Sequence, residues 1–231
     1  MKIVSNDKLI KRNNRLGQIT SIASLVVLAV GMIYSFKDTE GKYLTLTFAS
    51  FIVGLILFQV GNFFLNKWGK SPRPDEKISQ SLKGLDDKYT LYHYSTDISH
   101  LLVGPAGVIA ILPYSQGGKL YYDVKRKDWR QHGGNFLLKA FAQEGLGRPI
   151  SEAEYTKGLM EKYLSKIGIS PERVNDSVLF VFTNDKASIE GEGSPIPYAA
   201  TEKVKDYIRK QAKEINFDPD TVIAAIQKKI K

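Results

Sequence analysis

The sequence predicts an α/β domain with a mixed sheet flanked by helices, preceded by a two-helix transmembrane hairpin. Three observations predict it. Two charge-free apolar runs, Leu16 to Phe36 and Tyr43 to Asn66, occupy the first part of the chain. After residue 70 the pattern changes to alternating strand-like and helix-like segments in the order helix, strands, helices, strand, helices, with no internal repeat. At the centre of that second part an apolar run, Leu101 to Val103, meets Gly104-Pro105-Ala106-Gly107 and reverses into a second run, Val108 to Leu112.

A bilayer core of about 30 Å needs about 20 apolar residues in a helix, and both N-terminal runs meet that length. A cleaved signal peptide is the competing reading of the first run. Its apolar part is too long, and Tyr34-Ser35-Phe36-Lys37 is a poor cleavage site. The spans are therefore placed at about 16–36 and 43–66, within an N-terminal segment of residues 1–70. Lys2, Lys8, Lys11, Arg12 and Arg15 precede the first span, and Lys67, Lys70 and Arg73 follow the second. The loop from Lys37 to Lys42 is neutral, with two Lys, one Asp and one Glu. Positive flanks stay inside, so the expectation is a multi-pass cell-membrane protein of bacterial type with both termini cytoplasmic. Tyr34, Phe36, Tyr43, Phe63, Phe64 and Trp68 suit the interfacial aromatic belt.

The net charge of +9 does not by itself indicate nucleic acid. Residues 1–70 hold nine Lys/Arg against three Asp/Glu, a net of +6; residues 71–231 hold 24 against 21, a net of +3. Most of the excess orients the hairpin or faces anionic lipid. The absence of cysteine excludes disulfides, thiolate zinc sites and a cysteine nucleophile.

Pro72 and Pro74 stiffen a short linker and stop the second membrane helix. Residues 71–231 then form one cytosolic domain. Asp75 to Leu82 reads as a short helix and Tyr89 to Ser95 as a half-buried strand. Pro105 presets a turn and Gly107 tolerates φ > 0, so the runs on either side become adjacent buried strands. Pro113 suggests that the second of them ends early. Lys119 to Val124 is a fourth strand, and Asn135 to Glu144 has helical apolar spacing through Phe136, Leu137, Ala140 and Phe141. Ser151-x-x-Glu154 reads as a capping box opening a helix with Tyr155, Leu159, Tyr163 and Ile167 on one face. Val178 to Phe182 is a strand buried on both faces. Helices over Thr201 to Glu214 and Thr221 to Lys229 close the chain. Gly191-Glu192-Gly193 lies in a loop and has no phosphate-loop spacing.

The central layout resembles the core of the NERD, or nuclease-related, domain, a family of restriction-endonuclease-like nucleases. Its pattern reads Asp-His-apolar-apolar-Val-Gly-Pro-x-Gly-Val-apolar-apolar-apolar-Glu-x-Lys. His100, Val103, Gly104, Pro105, Gly107 and Val108 fit, whereas the three charged positions read Ser99, Leu112 and Tyr114. The resemblance covers about residues 75 to 210. Glu76 resembles the Glu of the family's first helix, and Trp129 sits where a Trp is common. Arg148-Pro149-Ile150 is similar to an Asn-Pro-apolar segment, with Glu152 where a Gln is usual. The resemblance implies a restriction-endonuclease-like mixed sheet and, in intact members, a Mg²⁺ held by two carboxylates beside a Lys. Here Ser99 offers a hydroxyl, Leu112 nothing and Tyr114 a neutral phenol, and Mg²⁺ wants carboxylate oxygens.

The expected function is therefore a catalytically inactive pseudonuclease, a binding or scaffold module at the cytoplasmic membrane face with no cofactor. The alternative is an active nuclease with relocated ligands, Asp97, Asp123 and Lys125 with Glu76, which would need Mg²⁺. A third reading is a structural protein whose domain only mediates assembly. The basic cluster Lys125, Arg126, Lys127 and Arg130, with Trp129 as a stacking platform, is the candidate contact for nucleic acid or lipid. A plain solvated turn is the bland reading of the same residues. The expected partners are the lipid bilayer, weakly bound nucleic acid, or an unknown protein.

Overall fold

The computed structural model describes residues 1–38, 40–133, 145–215 and 217–230. The helix expected over Asn135 to Glu144 lies outside them. Two compact units emerge. One is Asp7–Arg73, and the other joins Met1–Asn6 to the described residues from Pro74 onward.

The first unit is a helical hairpin of α1 (Asp7–Lys37) and α2 (Leu44–Trp68). At 1.5 Å per residue these helices run about 46 and 37 Å, long and apolar enough to cross a membrane. Only 11% of each apolar window is buried, which separates them from the core helices of a soluble protein. Small residues make the seam: Gly17, Ser24 and Gly31 on α1 and Gly54 and Gly61 on α2 are buried. A side chain at Gly54 would run into Leu28, and one at Gly61 into Ser21. The Ser24 hydroxyl donates to the Gly54 carbonyl at 2.8 Å. Leu25, Val26, Phe51 and Ile52 point outward and exposed, as lipid-facing residues do.

The second unit begins before the hairpin. β1 (Lys2–Ser5) pairs in parallel with β2 (Thr90–His93), Lys2 opposite Thr90 and Ser5 opposite His93. The first residues thus belong to the α/β unit and not to the anchor, and the boundary falls at Arg73/Pro74 instead of residue 70. Chain before α1 and chain after α2 thus share one sheet.

The sheet runs β1-β2-β3-β4-β7-β9, with β3 (His100–Gly104), β4 (Gly107–Tyr114), β7 (Asp176–Phe182) and β9 (Tyr198–Ala200). β2, β3 and β4 form an antiparallel meander, and β4, β7 and β9 are parallel. The sheet is thus mixed. Helices α3 (Pro74–Ser81) and α5 (Val204–Glu214) close one face over Leu91, Leu102, Ile109, Ile111, Leu179 and Val181. Helices α4 (Pro149–Lys166) and α6 (Asp220–Ile230) close the other over Leu101, Val103, Ala110, Phe180 and Phe182.

Both glycines of the central turn are dictated by their surroundings. Gly104 pairs with Gly107, and a Cβ on Gly104 would enter the Tyr89 ring. Gly107 has φ +102°, and its Cβ would strike the Asn175 carbonyl oxygen. Two expectations need correction. β4 does not end at Pro113, which pairs with Val181 in β7. β3 stops at His100, opposite Ile111, so beyond that point β4 is an edge on the β3 side, where a missing N–H costs nothing. Nor does Ser151 cap α4. The helix starts at Pro149 without an N-cap side-chain bond, and Asp128 Oδ1 accepts the Ile150 N–H at 3.2 Å instead.

A smaller sheet, β6-β5-β8, combines β5 (Lys119–Asp123), β6 (Asp128–His132) and β8 (Ser188–Glu190). The strand expected over Lys119 to Val124 therefore belongs to this second sheet.

Candidate functional site

Of the three positions singled out in the sequence, Leu112 and Tyr114 share one face of β4, and Ser99 lies ahead of β3, outside the paired register. The β3–β4 ladder runs from Gly104 opposite Gly107 to Leu101 opposite Ala110, and Leu112 and Tyr114 lie beyond it on one face of β4. Ser99 is exposed, one residue ahead of β3, and its carbonyl accepts the Tyr94 N–H at 2.8 Å. Leu112 and Tyr114 join the core cluster on the α4 side. The Tyr114 hydroxyl donates to Glu152 Oε2 at 2.7 Å. Burial first, then the charge and hydrogen bond of Glu152 and the charge of Asp128, hold this phenol far above its ordinary pKa. It is a fixed neutral donor. The site chemistry is therefore a hydroxyl, an isobutyl group and a protonated phenol with its one proton committed. These donors do not fit Mg²⁺, which takes carboxylate and carbonyl oxygens.

His100 matches the motif but is buried on the opposite face, that of α3. Its Nδ1 lies 2.8 Å from Nδ1 of His93, directly across the β2–β3 ladder. His93 Nε2 reaches the Ser79 hydroxyl of α3 at 2.8 Å, and the Tyr94 ring meets His100 edge-on. One of the two facing nitrogens must donate and the other accept, so a single proton lies in that bond. This is a packed polar bridge from sheet to helix. Glu76 lies on the same helix, half-buried, five residues before Ser81 ends it.

The alternative ligand set is not assembled. Asp97 is exposed and pairs with Lys166 Nζ at 3.2 Å, at the C-terminal end of α4. Asp123 ends β5; its Oδ1 accepts the Lys125 and Arg126 N–H groups at 3.0 and 3.2 Å. Asp123 is paired with Asp128, which caps Ile150 at the opposite end of α4. Ile150 and Lys166 are sixteen residues apart, about 24 Å along the helix. Asp97 and Asp123 are thus held far apart, and the Lys125 side chain is exposed at the turn. Among the described residues no three His, Asp or Glu converge as a metal site.

The basic turn is a β5–β6 hairpin loop, with Lys125, Arg126, Lys127 and Arg130 exposed. Trp129 corrects the expectation. It is 1% exposed, with ring centroids 5.0 Å from Phe182 and 5.1 Å from Tyr198, and its indole N–H donates to Ser194 Oγ at 3.2 Å. On β6 the side chains alternate, and burying Trp129 under the small sheet turns Arg130 outward. Trp129 is therefore core and not an exposed stacking surface.

What sequence reasoning missed is that the turn is one wall of a groove of about 760 Å³. Arg126, Lys127 and Arg130 line it, with Arg148, Ile150 and Ser151 from the start of α4, and Tyr122, Asp128 and Glu154. The available signal was Arg148-Pro149: Pro at the first position of a helix makes the preceding Arg a terminus residue.

No family model, no curated protein and no solved structure matches this chain. Its reading rests on its own residues.

Proposed function

We propose that the chain is a membrane-anchored, catalytically inactive relative of the NERD-type, restriction-endonuclease-like nucleases, acting as a binding or scaffold module at the cytoplasmic face. The observation that carries this is the side-chain chemistry at the motif positions. Where the resemblance calls for two carboxylates and a Lys, the chain has Ser99, Leu112 and Tyr114, and Glu152 occupies the Tyr114 hydroxyl. The helix–meander–helix–parallel strand order is consistent with the fold that the resemblance implies. Replacing a carboxylate by an alkyl group removes the metal donor itself, so tuning the remaining residues does not restore the function.

The test is a nuclease assay with Mg²⁺ or Mn²⁺ on the full chain in detergent, because residues 71–231 alone would lack β1. No cleavage above background is expected from the parent or from Asp123→Ala. Cleavage by the parent that Asp123→Ala abolishes would overturn this reading in favour of relocated ligands.

The cytoplasmic placement of both ends rests on the positive flanks and is supported by the pairing of β1 with β2. The chain has no cysteine, so single replacements report cleanly. With a membrane-impermeant maleimide on intact bacterial cells, Glu40→Cys in the short loop should label. Val124→Cys in the hairpin turn should label only after permeabilisation. Labelling of the second in intact cells would reverse the topology.

A further inference from the structure

We infer that the groove between the β5–β6 turn and the start of α4 is a binding site for a phosphate group, presented by a free phosphoanion or by an anionic lipid headgroup. This rests on the reading of the domain as a binding module and names the chemistry of what it binds. Four cationic side chains, Arg126, Lys127, Arg130 and Arg148, line the groove against two carboxylates, Asp128 and Glu154. Asp128 is already engaged, accepting the Trp129 and Ile150 N–H groups through Oδ1 at 2.8 and 3.2 Å. Arg126 has only a loose ion pair, 3.8 Å from Asp123. Lys127, Arg130 and Arg148 have no ion pair among the described residues. The four cations outnumber the two carboxylates, so the lining carries a net of +2, and an anion in the groove relieves the repulsion among them.

The kind of anion follows from the donors and the volume. Three of the four cations are Arg, whose planar fork bonds two oxygens of one phosphate. The groove lies at the start of the 18-residue α4, where Asp128 already accepts the Ile150 N–H, so the four cations carry the attraction. Lys127 has φ +52°, a left-handed conformation that favours Gly, yet the position carries a cation. A volume of about 760 Å³ falls within the range of small-molecule sites, roughly 300–1,000 Å³, and is short for an extended polynucleotide. Burial of Trp129 removes the indole as a base-stacking surface for a single strand.

The experiment uses the full chain carrying Val124→Cys, a groove-lining and exposed position, labelled with an environment-sensitive dye. In nanodiscs of phosphatidylcholine, inorganic phosphate is titrated in; in a second arm the nanodiscs contain phosphatidylglycerol and no phosphate is added. A saturable dye response to phosphate assigns a free phosphoanion, and a response only in the phosphatidylglycerol arm assigns a lipid headgroup. Either supports the site if Arg130→Gln/Arg148→Gln weakens it at least tenfold while thermal unfolding stays unchanged. Lys127→Gln is the independent variant, for which a smaller weakening is expected. No response in either arm overturns the site, as does a response that both variants leave intact. So does a response to a single-stranded oligonucleotide alone. None of these outcomes bears on the nuclease assay, so the binding site can fail while the inactive reading stands.

Discussion

Gly107→Ala is expected to unfold the α/β domain or leave it barely folded. Gly107 has φ +102°, which costs an L residue about 1–2 kcal/mol, and the added methyl meets the Asn175 carbonyl oxygen. That oxygen cannot withdraw cheaply, because it accepts the Val108 N–H at 2.9 Å where β4 begins beside β7. Relieving the clash means parting the two central strands. We expect a loss of about 3–5 kcal/mol, a large share of the 5–15 kcal/mol a domain possesses. Thermal unfolding of the purified chain in detergent measures it. Pro105→Ala in the same turn should cost far less, about 1 kcal/mol, since it removes only a preset φ. If the two variants melt together, the steric account of Gly107 is wrong.

Trp129→Ala is the second large effect, of about 3–5 kcal/mol. The indole fills the space between the two sheets, within 5.0 Å of Phe182 and 5.1 Å of Tyr198, and its N–H satisfies Ser194. Truncation leaves a cavity and removes one of the two hydrogen bonds of the Ser194 hydroxyl, which still donates to the Ile196 carbonyl at 2.8 Å. Its neighbour Arg130 points the other way and is exposed, so Arg130→Ala should stay within about 0.5 kcal/mol of the parent. Adjacent residues thus separate into a stability position and a binding position. A stable Trp129→Ala protein would return Trp129 to the role of a contact surface.

Much of the architecture was legible because its causes are local. A charge-free run of membrane length is recognised from its own residues, and so is a Gly-Pro-Ala-Gly reversal between two apolar runs. The side chains Ser99, Leu112 and Tyr114 were legible too, since which groups they offer is a matter of residue identity. Features that depend on distant partners were not. Lys2–Ser5 has too few residues to declare itself a strand, and its partner begins at Thr90, beyond the hairpin. The cap of α4 comes from Asp128 on β6 and not from Ser151 beside it. Pro113 is tolerated in a strand only because β3 has already ended. Asp97 and Asp123 form a plausible pair on paper, and the length of α4 keeps them apart.

Sequence by itself determined the helical hairpin, the mixed α/β class and the absence of metal-binding carboxylates at Ser99, Leu112 and Tyr114. Periodicity, hydropathy and side-chain chemistry reside in the residues themselves. Tertiary structure alone decided that β1 completes the sheet, that Trp129 is core, and that Arg148 joins Arg126, Lys127 and Arg130 around one groove. Burial and convergence depend on which distant segments the fold brings together, and no local pattern records that.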